Sequence, residues 1–155
     1  MGSASVPRLP RSRMELPEQD PTPPVLSKAS TCILLVEDNE DVREVMLETL
    51  TMDGYQVEVA VDGATALQAA TTLNPQLVVI DIGLPDMDGY EVARRMRKAL
   101  GTSVVLVALT GYNTPEDRQE AYRAGFDAHL VKPADPDALE RILSAAGVRK
   151  NRLVG

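Results

Sequence analysis
The sequence predicts a doubly wound α/β fold in which five parallel strands alternate with five helices. Three observations point there. The apolar residues gather in short unbroken runs, as strands buried on both faces require. Those runs alternate with longer stretches whose apolar residues recur at helical spacing. Aromatics make up only 3% of the 155 residues while hydrophobic residues reach 44%, so the core is aliphatic.

The elements follow in order. Cys-Ile-Leu-Leu-Val (32–36) is the first strand and ends in acids. Cys32 sits in it as a buried core thiol. Residues 39–52 form a helix with Val42, Val45, Met46 and Leu50 on one face and Glu40, Asp41, Glu44 and Glu48 elsewhere. Residues 56–60 make a weaker strand. Residues 62–73 are an Ala-rich helix stopped at Asn74-Pro75, because the residue before a proline avoids helical backbone. Leu-Val-Val-Ile (77–80) is a strand ending at Asp81. Residues 90–100 turn Val92, Met96 and Leu100 inward and Arg94, Arg95, Arg97 and Lys98 outward to solvent, with Gly101 as the stop. Residues 104–109 are the fourth strand, ending at Thr110. Thr114 caps a helix that has Pro115 in its first turn, reaches Ala124 and ends at Gly125. His-Leu-Val (129–131) is the last strand, before Lys132-Pro133. Asp135-Pro136 opens the final helix, with Leu139, Ile142 and Leu143 facing in.

Ahead of these elements lie residues 1–30, which hold six of the eleven prolines and almost no apolar periodicity. Such a segment buries too little surface to offset its ordering entropy and reads as a disordered Pro-rich tail or linker. The folded domain is expected over 31–147, with a short C-terminal tail at 148–155. Net charge is −7, which disfavours direct contact with nucleic acid. A single cysteine excludes an internal disulfide and a Cys-based zinc site, and the one histidine, His129, excludes a His-rich metal site. No apolar stretch is long enough to span a membrane, and the N-terminus lacks a signal peptide's apolar run. The default expectation is a cytoplasmic protein without membrane insertion.

In an open parallel sheet, function collects at the carboxyl ends of the strands. Four such ends carry chemistry here: Glu37-Asp38, Asp81, Thr110 and Lys132. Carboxylates gathered at neighbouring strand tips repel one another unless a cation sits among them. A hard divalent ion with oxygen ligands, Mg²⁺, is the simplest remedy. Lys132 adds a fixed positive charge and Thr110 a hydroxyl, a set that suits a phosphoryl group. One acid is then free to be the nucleophile. A carboxylate is ionised at neutral pH and needs no general base to attack phosphorus.

Leu-Leu-Val-Glu-Asp-Asn-Glu (34–40), Val-Val-Ile-Asp-Ile-Gly-Leu-Pro-Asp-Met-Asp-Gly-Tyr (78–90), Ala-Leu-Thr-Gly-Tyr (108–112) and Val-Lys-Pro (131–133) together resemble the receiver domain of bacterial two-component response regulators, including the chemotaxis regulators. Four motifs in the right order make the resemblance specific. It implies a flavodoxin-like fold and assigns roles by position. Asp81 is the phosphoacceptor, served by a histidine kinase or a histidine phosphotransfer protein. Glu37, Asp38, Asp81 and the main-chain carbonyl of Gly83 hold Mg²⁺, with Glu37 acting mainly through water. Thr110 bonds a phosphoryl oxygen, and Lys132 contacts Asp81 at rest and the phosphoryl group afterwards. Leu84-Pro85 and Gly89 shape the loop after the acceptor, and Lys132-Pro133 is a cis peptide. Where the family often has Tyr or Phe as its moving aromatic, this chain has His129, which adds the prospect of pH sensitivity. The output surface is implied to be the last two helices and the strand between them.

The same residues bear on other functions. An aspartate-nucleophile phosphatase carries a second Asp two positions on, and Gly83 stands there, so no turnover of external substrates is expected. No Gly-x-Gly-x-x-Gly follows the first strand, which argues against a dinucleotide enzyme. A degenerate receiver used purely for docking is the remaining alternative. The basic stretch 94–98 is expected to be a solvated helix face. Tyr112 is a candidate gate beside Thr110. Direct transcription control is not expected. A stand-alone regulator and the C-terminal receiver of a hybrid histidine kinase both stay open.

Overall fold
Strands β1 (Cys32–Val36), β2 (Gln56–Ala60), β3 (Leu77–Asp81), β4 (Val105–Thr110) and β5 (Ala128–Val131) form one parallel sheet in the order β2-β1-β3-β4-β5. The computed structural model describes residues 32–111 and 114–148. The expected tail at 1–30, the C-terminal residues 149–155 and the Tyr112 gate lie outside the described residues. The helices are α1 (Glu40–Met52), α2 (Gly63–Leu73), α3 (Gly89–Leu100), α4 (Pro115–Ala124) and α5 (Pro136–Ala145), with a short 3₁₀ turn at Gly101–Ser103. This is the doubly wound fold the aliphatic runs predict.

Each of these helices starts where a short polar side chain accepts an N–H of the first turn: Asn39, Asp62, Asp88, Thr114 and Asp135. Thr114 and Asp117 complete a reciprocal capping box. Gly125, at φ 112°, ends α4 in left-handed backbone that a side chain would resist.

The sheet carries two separate aliphatic layers. On one face, Leu34, Val36, Val78, Ile80, Leu106 and Ala108 pack against α2, α3 and α4. On the other, Ile33, Leu35, Val79, Val107 and Leu109 pack against α1 and α5. Every residue of β1 and β3 is buried, which explains why their apolar runs do not alternate. β2 lies at the sheet edge and is largely exposed, hence its weaker signal. Cys32 is buried with a free thiol, as expected. Val148 is also buried, its N–H donating to the Leu143 carbonyl at 3.0 Å.

Two expectations about faces need correction. Val45 is not part of the inward stripe of α1; it is 62% exposed, and Met46 and Leu50 alone are fully buried there. Arg97 does not point to solvent with Arg94, Arg95 and Lys98. Its guanidinium donates to the carbonyls of Gly101 at 2.9 Å, Val104 at 2.7 Å and Gly125 at 2.5 Å, and pairs with Asp127 at 2.7 Å. The same Asp127 oxygen accepts the Leu106 N–H at 2.9 Å. Arg97 therefore ties the C-terminal end of α3 to the start of β4 and the α4–β5 turn. Arg94 and Arg95 do lie outside, both paired with Glu91.

Candidate functional site
Sheet register brings the strand-end residues together. Val36 pairs with Ile80, which sets Glu37, the next residue, beside Asp81. Asp81 pairs with Leu109, one residue before Thr110. Thr110 pairs with Val131, one residue before Lys132, and the Lys132 N–H donates to the Thr110 carbonyl at 2.8 Å. The strand order reverses between β1 and β3, so the acids occupy the crevice where doubly wound sheets bind ligands.

Glu37, Asp38 and Asp81 each offer a carboxylate oxygen within 4.8 Å of the others. Glu37 is wholly buried and Asp81 nearly so, while Asp38 is exposed. The Glu37 oxygens differ sharply. Oε2 accepts the Asn39 N–H at 3.0 Å, whereas Oε1 accepts no hydrogen bond and is buried. Its nearest partner is the Lys132 ammonium at 3.5 Å, an ion pair without a hydrogen bond, and a further cation or its bound water would satisfy it more fully. Three hard oxygen donors at this spacing fit a divalent ion such as Mg²⁺.

Lys132 supplies the positive charge present in the chain itself. Its Nζ lies 3.1 Å from Asp81 Oδ1 and 3.5 Å from Glu37 Oε1. The Gly83 N–H donates to the same Asp81 oxygen at 3.1 Å. Burial pushes the Glu37 carboxyl up to about 7; the Asn39 N–H opposes this, neighbouring Asp81 adds to it and Lys132 draws it back. Partial burial alone would lower the Lys132 ammonium, but Asp81 and Glu37 outweigh it and hold it above its ordinary value. The Lys132-Pro133 peptide is cis, as expected.

Thr110 and His129 lie on one sheet face, because His129 pairs with Ala108 and alternate residues of β4 share a side. Together with Tyr90, Asp117 and Arg118 they line a cavity of about 10 Å³, room for a single water. Burial and the Arg118 charge push the His129 imidazole below its ordinary value. The charge change thus moves to the acid side, which narrows the expected pH sensitivity.

Sequence reasoning missed three residues that shape the site. Asn39 binds Glu37 and caps α1; its place after two acids was the available signal. Arg43 donates to the carbonyls of Glu37 at 3.1 Å and Asp38 at 3.4 Å, a contact one helical turn into α1. Asp86 reaches from the β3–α3 loop to the start of α2, and nothing in its local sequence announces that.

Known proteins resemble this chain in sequence and fold. A model of the response regulator receiver domain matches residues 33–144. An uncharacterised 14.6 kDa protein of Leptolyngbya boryana is 39% identical over 112 residues, covering 72% of this chain and 86% of that protein. Response regulator MprA of Mycobacterium sp. (strain KMS) is 38% identical over 112 residues, 72% of this chain; the match spans about half, 47%, of that longer protein. The structure of the Vibrio cholerae chemotaxis protein CheY4 aligns with TM-score 0.71 at 30% identity, over 76% of this chain and 98% of that one. A CheY-like receiver domain from Methanospirillum hungatei aligns with TM-score 0.70 at 31% identity, over 76% and 94%. Fold, strand-end acids and family match converge: the chain belongs to the response regulator receiver domains, the phosphoacceptor modules of two-component signalling.

Proposed function
We propose that Asp81 is the phosphoacceptor and that Glu37, Asp38, Asp81 and the Gly83 carbonyl hold a Mg²⁺ ion beside it, with Glu37 acting mainly through water. The observation that carries this reading is that the carboxylates of Glu37, Asp38 and Asp81 gather within 4.8 Å of one another while the Lys132 ammonium lies 3.1 Å from Asp81. When bound, the metal supplies positive charge opposite the phosphoryl oxygens. An Asp81 carboxylate oxygen attacks the phosphorus of a phosphohistidine, forming a P–O bond as the donor P–N bond breaks and the imidazole keeps the electron pair. Lys132 turns from Asp81 to the transferred phosphoryl oxygens, and Thr110 donates its hydroxyl to one of them. Hydrolysis by water later returns the carboxylate and inorganic phosphate.

The donor is a histidine kinase or a histidine phosphotransfer protein, and the chain turns over no external substrate. Movement of Thr110 alters the small cavity it shares with His129, Tyr90 and α4, which passes the phosphoryl state to α4, β5 and α5. No helix among the described residues is long and apolar enough to cross a membrane. A docking module without phosphorylation finds no support, since acids, hydroxyl and lysine are all present. The test is incubation with Mg²⁺ and acetyl phosphate followed by intact mass, and with Mg²⁺ and beryllofluoride followed by backbone NMR. Wild type acquires one phosphoryl group, and shifts spread from Asp81 to β5; Asp81→Asn does neither. An unmodified wild type overturns the reading.

A further inference from the structure
The loop between β3 and α3, residues 82–88, carries Gly83 and is tied down at three places. At its base, a Cβ on Gly89 would lie 2.6 Å from the Ile82 Cα and 2.7 Å from the Asp81 carbonyl oxygen, so only glycine lets the backbones approach this closely. The Gly89 N–H donates to the Ile82 carbonyl at 3.0 Å. Nearer the tip, Met87 rests on Gly63, where a Cβ would come 2.5 Å from the Met87 Cγ. Next to Met87, the Asp86 carboxylate crosses to α2. Its Oδ1 accepts the Gly63 N–H at 2.7 Å and its Oδ2 accepts the Ala64 N–H at 2.9 Å.

Those are the first two N–H groups of α2, which have no partner within the helix. The helix's own cap, Asp62, serves Thr65 instead, at 2.9 Å. The division of labour is informative. An acid 22 residues beyond Ala64 in sequence completes the end of α2, and in return the positive end of the helix holds the loop. The two amides keep the Asp86 carboxyl below its ordinary value.

We propose that Asp86 is a positioning residue for the metal: by clamping the loop to α2, it holds Gly83 at the acceptor. This rests on the reading of Glu37, Asp38, Asp81 and Gly83 as the ligand set. Gly83 donates its N–H to Asp81 Oδ1 at 3.1 Å, so one short loop governs both the acceptor carboxylate and the main-chain ligand. Asp86 acts through the loop and is no ligand itself.

The test is Mg²⁺ binding to the full chain without phosphodonor, by calorimetric titration, with melting temperatures alongside. Asp86→Ala weakens Mg²⁺ binding about tenfold, the size of effect expected when a ligand loses its support. Asp86→Asn keeps one acceptor oxygen and falls between; it also carries the test if the alanine variant does not fold. Asp62→Ala removes the helix's own cap but not the tether, so it lowers the melting temperature and leaves Mg²⁺ affinity at the wild-type value. In phosphorylation by acetyl phosphate, Asp86→Ala needs more Mg²⁺ for half-maximal rate, and excess Mg²⁺ restores most of the rate. Wild-type Mg²⁺ affinity in both Asp86 variants overturns the proposal, as does an equal loss in Asp62→Ala. A wild type that binds no Mg²⁺ overturns the ligand reading itself and the proposal with it, an outcome distinct from unchanged affinity in the variants.

Discussion
Burial lifts the Glu37 carboxyl to about 7, well above its ordinary 4.5, and this fixes how the site responds to pH. Between those values the folded chain binds a proton that the unfolded chain does not. Glu37's contribution to metal-free stability therefore falls as pH rises from about 4.5 to about 7 and levels off beyond. Mg²⁺ competes with that proton, so its affinity rises over the same range. Denaturant titrations in a chelator, paired with Mg²⁺ titrations on either side of about pH 7, measure both slopes. Glu37→Gln flattens both and weakens Mg²⁺ binding by roughly tenfold or more. Equal slopes in wild type and Glu37→Gln would remove Glu37 as the source. Gly83 carries a second prediction at this scale. A Cβ there would meet only Asp81 Oδ1, at 3.9 Å, so the position beside the acceptor is open and a side chain placed on it would shield the site from attacking water. Gly83→Arg should slow loss of the phosphoryl group by up to about tenfold, ~1.4 kcal/mol of barrier. An unchanged decay rate would mean that water reaches the acyl phosphate from another side.

Among the elements, α3 shows where sequence patterning stops being informative. Its 3.6-residue period separates Val92, Ala93 and Met96, all buried, from Arg94 and Arg95. It says nothing of what stands across from Arg97, because Gly125 and Asp127 arrive from a turn 28 and 30 residues later. Arg97 is the clamp that keeps the C-terminal end of α4 fixed while its N-terminal part faces Thr110 and His129. Removing it strands carbonyls of Val104 and Gly125 that are partly shut off from water. Arg97→Ala should cost about 2–3 kcal/mol in denaturant unfolding. Arg97→Lys recovers little, since one ammonium cannot reproduce a guanidinium fork that reaches four acceptors. A loss under about 0.5 kcal/mol would reduce the contacts to ordinary surface pairing. Val45 has the opposite lesson: it lies at helical spacing from Met46's stripe yet stays exposed, because α1 covers the sheet over a narrower arc than its apolar residues suggest.

For the molecule as a whole, Asp81, Thr110 and Lys132 were legible in advance because a parallel sheet aligns its strand ends. Unbroken aliphatic runs locate those ends, and the residue after each run falls at the same edge. The register that sets Glu37 beside Asp81, and Thr110 level with Val131, is a property of the assembled sheet. Asp86 and Arg43 were not legible, because their partners are main-chain groups, which leave no mark on sequence. The central claim is that the converged acids make Asp81 the phosphoacceptor. It is tested most directly by phosphorylating the chain with acetyl phosphate and Mg²⁺, reducing the product with borohydride, which converts an aspartyl phosphate to homoserine, and mapping the peptides by mass spectrometry. The account predicts homoserine at position 81 alone, dependent on Mg²⁺ and absent from Asp81→Asn. Conversion at another position, or a phosphoryl group that survives in Asp81→Asn, would contradict it.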